Sequence, residues 1–279
     1  MYHRRLLRRG GSRLVARAAA GSACSPAAAS RIDPREAALV AVLLVLAAAS
    51  WIFTSTQLAG MDMGRWSDPG PLGFFVVTWV VMLAAMMFPS VAPMVVAYDR
   101  IQHHRRSAGR YAPTGSTAVF VAGYLLAWTA FGLVAYSLYM VVALASAFFG
   151  SDQGGRYLAV GVILLAAVYQ LTPAKSVSLM KCRTPLDFLL HRMRPGYRGA
   201  LLMGVEHGAW CVACCWALMT ALFALGVMSL GWMALIGAFI AAEKMLPWKR
   251  LANRSVAAAL GVIALVVAVT PAAMDGMGM

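Results

Sequence analysis

The stretch Gly204-Val205-Glu206-His207-Gly208-Ala209-Trp210-Cys211-Val212-Ala213-Cys214-Cys215-Trp216 lies in the middle of an apolar segment at about residues 199–225. It places three of the chain's five cysteines, a histidine and a glutamate in a segment whose length and apolarity predict a membrane-spanning helix. Ionisable and metal-ligating side chains are costly inside a bilayer and usually mark a functional site. The stretch therefore predicts both a membrane fold and a site within it.

The side chains of this stretch that could ligate a metal share one face of the predicted helix. A helix turns about 100° per residue, so with His207 at zero Cys214 falls at about −20° and Cys211 at about 40°. Cys215 falls at about 80° on the same scale. Thiolates and imidazole suit Cu(I) or Zn(II). The spacing favours a soft-metal site, and the competing interpretation is that small Cys, Gly and Ala residues only permit close helix packing.

The composition is typical of a polytopic membrane protein. Of 279 residues, 61% are hydrophobic and 12% are charged, and the mean hydropathy is +0.73. A soluble protein carries about 25% charged residues. The net charge of +14 alone would suit nucleic acid, but the charges lie in short loops between apolar segments. We therefore predict the lipid bilayer as a partner and no nucleic acid.

Seven apolar segments are long enough, or nearly so, to cross a bilayer. They are 37–58, 73–98, 117–147, 156–172, 199–225, 230–247 and 254–271. All of the 24 Lys and Arg residues except Arg65 and Arg156 fall on one side of this scheme. The positive-inside rule then puts the N-terminus in the cytoplasm and the C-terminus outside. We expect an all-α bundle of about seven transmembrane helices in a bacterial inner membrane.

Two tails flank the predicted transmembrane domain, which spans residues 36–272. Residues 1–35 are rich in Arg and Ala and lack the apolar core of a cleavable signal, which predicts a disordered basic cytoplasmic tail. Residues 273–279 form a Met-rich extracytoplasmic tail containing Met274, Met277 and Met279. With Met61 and Met63 of the first outer loop, this tail is predicted to collect Cu(I).

The second segment also carries soft ligands near mid-membrane. Met82 and Met86 are four residues apart, hence on one face, and Met87 lies beside them. Pro89 and Pro93 continue that face and weaken the helical hydrogen-bond ladder. Thioethers favour Cu(I) over harder ions, although Met is also a common packing residue. We predict a methionine relay here.

Further polar residues are predicted near the inner side. Cys182 lies in an inner loop over 173–198, where it either hands metal to the membrane site or is an ordinary loop cysteine. Glu243 and Lys244 lie near the inner end of the sixth segment, at a depth similar to that of Glu206. A Glu206–Lys244 contact is therefore expected.

Four blocks of the chain resemble a bacterial family of predicted metal-binding integral membrane proteins, some of whose members are labelled copper chaperones. The blocks, with the closing motif Glu243-Lys244 and Pro247, are Met82–Pro89 with Pro93, Tyr169-Gln170 with Thr172-Pro173 and Lys175, Cys182-Arg183 with Pro185, and His207-Gly208 with Cys211, Cys214-Cys215-Trp216 and Leu218-Met219. The resemblance implies metal handling in the membrane. Ser178 stands where the family commonly has a second cysteine, and Ala213 stands where it has Gly.

The sequence contains no Walker loop, dinucleotide fingerprint or phosphorylation motif, so a nucleotide-driven pump is unsupported. The first expectation is a binding protein rather than an enzyme. We expect a protein that binds a soft metal, Cu(I) first and zinc second, and delivers it to a cuproenzyme or metallochaperone or moves it across the membrane. The predicted metal ligands are His207, Cys211, Cys214, Cys215, Met82, Met86, Met87 and Cys182. Two alternatives remain: a thiol–disulfide oxidoreductase using Cys211 and Cys214, and a non-catalytic membrane assembly subunit.

Overall fold

The computed structural model describes residues 33–58, 70–149, 152–184, 189, 193–226, 229–246 and 248–269. Within these ranges the chain is helical with short connections and contains no strand, which confirms the predicted all-α class. The helices are α1 Pro34–Leu58, α2 Leu72–Ser107, α3 Ser116–Phe149, α4 Asp152–Gln170, α5 Pro173–Arg183, α6 Gly196–Leu225, α7 Leu230–Met245 and α8 Lys249–Val269.

Five of the described helices are long and apolar enough to cross a membrane, namely α1, α2, α3, α6 and α8. The bent pair α4–α5 adds a sixth if it counts as one span. Helix α7 has 16 residues, or about 24 Å, and is shorter than the about 20 residues of a straight span. The described helices thus support five or six spans where the sequence predicted about seven. The predicted orientation stays a prediction.

The burial pattern of the described helices is that of a membrane protein. Large apolar side chains face outward, and Val45, Val134 and Val262 are each more than 60% exposed. In contrast, Lys175 and Glu243 are fully buried. Soluble monomers rarely expose wide apolar surfaces, whereas ionisable groups in membrane helices face the interior of the bundle.

The fourth predicted segment ends in a bend, and a further helix follows it. The axes of α4 and α5 differ by 68° across the break between Gln170 and Pro173. The Thr172 side chain caps α5 by accepting a hydrogen bond from the Lys175 backbone N–H at 3.2 Å. Pro173 is favourable at the first helical position, where its missing N–H costs nothing. The predicted loop is therefore wrong over residues 173–183.

Helix α2 is longer than the predicted second segment. It runs without interruption through Pro89 and Pro93 to Ser107, over 36 residues. At 1.5 Å per residue it measures about 54 Å, which exceeds the hydrocarbon core of about 30 Å. The prolines remove two backbone donors but do not end the helix.

Glycines allow helices α3 and α6 to approach closely. A Cβ on Gly204 would overlap the Phe120 carbonyl oxygen, and one on Gly208 would lie 2.8 Å from the Ala127 Cβ. Glycines four residues apart on one face are a common means of packing membrane helices. This approach brings Tyr124 of α3 against the buried face of α6.

We expect Gly204→Ala to destabilise the protein by about 1–3 kcal/mol, because the added methyl group forces the two backbones apart. Gly161→Ala is the matched control, since a Cβ at Gly161 has no atom within 4 Å. Reversible unfolding in detergent micelles measures the free-energy difference. Equal stability of the two variants would contradict a close α3–α6 contact.

Candidate metal centre

The predicted ligand face of α6 packs into the bundle. Cys211 and Cys214 are fully buried, Cys215 is 1% exposed and His207 is 2% exposed. Met203, one turn before His207, is fully buried as well. The helical periodicity thus identified the side of α6 that faces the other helices.

Three thiols meet where α5 lies against α6. The sulfur atoms of Cys182, Cys211 and Cys214 all lie within 4.8 Å of one another. Metal–sulfur bonds of about 2.3 Å place two sulfurs on one ion at most about 4.6 Å apart, so the group needs little adjustment to hold a single ion. This arrangement is suited to a small soft cation.

Cys182 is not a loop residue facing the cytoplasm, as the sequence suggested. It lies in the last turn of α5 and is 9% exposed. Helix α5 was not predicted from the sequence, and the contact of Cys182 with α6 depends on that helix. The bend between α4 and α5 is what directs this thiol inward.

Among the described residues, Cys215 and His207 are not members of the three-thiol group. The Cys215 sulfur lies 3.2 Å from the Cys214 sulfur, so it adjoins one member of the group. The His207 ring packs near Phe120 and Tyr124, with ring centroids 6.1 and 6.0 Å away. His207 shares the face of Cys211 but lies about 6 Å further along the helix axis.

An ammonium group lies between the thiols and helix α2. The Nζ of Lys244 on α7 donates to Cys211 Sγ at 2.9 Å and to Ser90 Oγ at 3.3 Å. It also lies 3.9 Å from Met87 Sδ. The Tyr124 hydroxyl contacts the same Cys211 sulfur at 3.1 Å. Cys211 therefore receives polar contacts from two further helices.

The three predicted methionines of α2 are buried, with exposures of 2% for Met82, 4% for Met86 and 0% for Met87. The structure brings Met87 to the Lys244 ammonium, whereas Met86 lies against Gly237 of α7. The other predicted methionines, Met61, Met63, Met274, Met277 and Met279, lie outside the described residues.

A buried ion pair between α5 and α7 lies next to the backbone of Cys214. Lys175 Nζ lies 2.6 Å from Glu243 Oε2 and donates to the Cys214 carbonyl at 2.5 Å. Arg183 donates to the Glu243 carbonyl at 2.9 Å and to the Leu246 carbonyl at 2.6 Å. These contacts join α5 to α6 and to the end of α7 beside Cys214.

The expected contact between Glu206 and Lys244 is wrong. Glu206 Oε2 lies 3.9 Å from Arg194 Nη2, and Lys244 contacts Cys211. Glu206 and Cys211 are five residues apart, or about 140° around the helix. Glu206 therefore lies on a different side of α6 from the one that meets α7, although its position along the helix is similar to that expected for Lys244.

The sequence placed Lys175 among the cytoplasmic positive charges and in one block of the family resemblance, but it did not predict that Lys175 lies at the candidate site. The buried residues of α5 are Lys175, Ser178, Leu179 and Cys182, which follow the spacing of one helical face. This spacing, together with the Thr172-Pro173 start signal, was enough to place Lys175 on the side of Cys182. Ser178 uses its hydroxyl within the helix, donating to the Ala174 carbonyl at 3.0 Å.

We expect Lys175→Met to destabilise the protein by about 3–5 kcal/mol, because it leaves the Glu243 carboxylate buried without a partner. The double variant Lys175→Met/Glu243→Gln removes both charges and should regain much of this stability. Unfolding in micelles measures both. A double variant no more stable than the single one would show that the pair contributes by something other than charge compensation.

Comparison with known proteins identifies the family of the chain. The model of the PpoB2 family, described as a copper chaperone, matches residues 76–267. No curated protein and no solved structure matches the chain. The matched region extends from α2 into α8 and includes Cys182, the α6 cysteines and Lys244. Because the match covers more than two-thirds of its length, the chain belongs to the PpoB2 copper chaperone family.

Proposed function

We propose that the protein is a membrane copper chaperone that binds Cu(I) at Cys182, Cys211 and Cys214 and passes it to a protein partner. The observation that carries this proposal is the group of three buried sulfur atoms within 4.8 Å of one another. Membership of a copper chaperone family supports a metal-handling role independently of that geometry.

The ligand types favour Cu(I) over zinc. Structural zinc sites are almost always four-coordinate, with Cys, His or carboxylate ligands. Among the His, Cys, Asp and Glu residues that the structure describes, the group close enough to hold one ion consists of three thiols and no imidazole or carboxylate. Thiolate and thioether ligands select Cu(I), and the Met87 thioether contacts the same Lys244 ammonium as the Cys211 thiol, at 3.9 and 2.9 Å.

The methionines of α2 suggest how the ion reaches the thiols. Met87 belongs to the predicted methionine ligands of α2, and Cys211 belongs to the three-thiol group. Both contact the Lys244 ammonium, which links the two groups. Cu(I) would pass from the predicted collecting residues Met61, Met63 and the C-terminal methionines through α2 to the cysteines. A cuproenzyme or a metallochaperone would then receive it.

A thiol–disulfide oxidoreductase has less support. A Cys-x-x-Cys redox pair is activated at the start of a helix, where the helix dipole stabilises the thiolate. Cys211 and Cys214 lie in the middle of α6, which spans Gly196–Leu225, and both are fully buried. Neither thiol is open to a protein substrate, whereas a small ion needs only a narrow path.

We expect the purified, reduced protein to bind about one Cu(I) per chain at this group. Cys182→Ser, Cys211→Ser and Cys214→Ser should each lower the Cu(I) affinity by more than the about 10- to 100-fold that is typical of losing a group that only orients a ligand. Competition with a Cu(I) chelator in detergent measures the affinity, and metal analysis gives the stoichiometry.

Cys24→Ser is the matched control, because Cys24 is the one cysteine of the chain in its basic N-terminal stretch. It should bind copper as the wild type does. Absence of bound copper after reconstitution of the wild type with Cu(I) would contradict the proposal. If the protein binds zinc in place of copper, the proposed ligands would stand but the proposed metal would be wrong.

The position of Met87 predicts a kinetic effect. Met87→Leu conserves volume and apolarity, so we expect normal folding and nearly normal Cu(I) affinity but slower loading from a Cu(I) chelator. Met233→Leu is the control, since Met233 is a buried methionine of α7 that is not among the predicted ligands. Equal loading rates for both variants and the wild type, followed by stopped flow, would exclude Met87 from the route.

A further inference from the structure

The Lys244 ammonium lies beside one of the three thiols and pairs with no carboxylate of the described residues. The charge of Lys175 is balanced by Glu243 at 2.6 Å. Lys244 instead contacts Cys211 Sγ, Ser90 Oγ and Met87 Sδ. In the part of the chain that the structure describes, no carboxylate oxygen lies within 4.0 Å of the Lys244 ammonium. Lys244 therefore adds a positive charge beside Cys211 that no carboxylate of the described residues balances.

The ammonium is held in place by more than the thiol. Its contact with Ser90 Oγ comes from α2, whereas Cys211 belongs to α6 and Lys244 to α7. When the Cys211 sulfur turns to a metal ion, the contact with Ser90 still keeps the ammonium nearby. The charge thus stays close to any ion bound by the three thiols.

A charge in this position acts differently on monovalent and divalent ions. Its repulsion of a divalent ion is twice its repulsion of a monovalent ion at the same place, because Coulomb energy is proportional to the charge. At about 5 Å and an effective dielectric constant of about 20, the extra repulsion of the second charge corresponds to about 200- to 300-fold in relative affinity. Thiolates by themselves do not make this distinction, since they bind Zn(II) as well as Cu(I).

We propose that Lys244 is the specificity-determining residue that makes the three-thiol group select a monovalent soft ion over a divalent one. The inference rests on the proposed function, since it requires that Cys182, Cys211 and Cys214 hold the ion. It assigns to Lys244 a role that is neither ligation nor support of the fold. The neutral Lys175–Glu243 pair makes no net contribution to this selection.

The test uses the full-length protein in detergent, with Ag(I) as the monovalent probe and Cd(II) as the divalent probe. We expect Lys244→Met to lower the ratio of Ag(I) affinity to Cd(II) affinity by about 200- to 300-fold. Lys244→Arg retains the charge and should retain the ratio. Lys181→Met is the matched control, because the Lys181 ammonium lies 3.8 Å from the Trp210 ring centroid rather than at the thiols.

The outcomes separate the inference from the proposed function. If Lys244 has only a structural role, Lys244→Met weakens the binding of Ag(I) and of Cd(II) by the same factor and leaves the ratio of affinities unchanged. That result would overturn the inference and leave the proposed function standing. A wild type that binds neither Ag(I) nor Cu(I) would overturn both. If Lys244→Met does not fold, Lys244→Gln removes the charge, can still hydrogen-bond Ser90, and is judged by the same ratio.

Discussion

The buried ion pair between Lys175 and Glu243 is the interaction on which the geometry of the metal centre depends. A charge in an apolar interior is tolerated only when it is paired and hydrogen-bonded. Helices α5 and α7 therefore cannot move apart without leaving one charge uncompensated. Because Lys175 also donates to the Cys214 carbonyl, the same pair holds α6. This constraint keeps Cys182 beside the thiols of α6.

The candidate site combines a buried ion pair, whose two charges compensate each other, with the positive charge of Lys244. On one side, Lys175 and Glu243 cancel each other and determine positions. On the other side, Lys244 adds a positive charge between the thiols and the methionine of α2. A chaperone must hold its ion and still release it. Ligands contributed by different helices suit that requirement, because small movements of one helix change the ligand set.

Several features were predictable from local sequence. Most helices fall close to the predicted apolar segments, since the length of an apolar run decides whether it can cross a bilayer. The buried face of α6 followed from the 3.6-residue period. The resemblance to copper chaperones agrees with the family to which the chain belongs. Helix α5 was missed because it has only 11 residues and carries three positive charges, although its Thr-Pro start carried a signal.

Hydropathy and helical periodicity are local properties, so the amino-acid sequence alone predicted helices long and apolar enough to cross a membrane, and one helix with thiols and an imidazole on a single face. Which of these side chains meet depends on how the helices pack in three dimensions. Lys175 and Glu243 are 68 residues apart, and Lys244 and Cys211 are 33 apart. Contacts at such separations depend on the bend between α4 and α5 and on the crossing of α5, α6 and α7. Helix packing, rather than spacing along the chain, therefore brings Cys182 to Cys211 and Cys214 in the candidate metal centre.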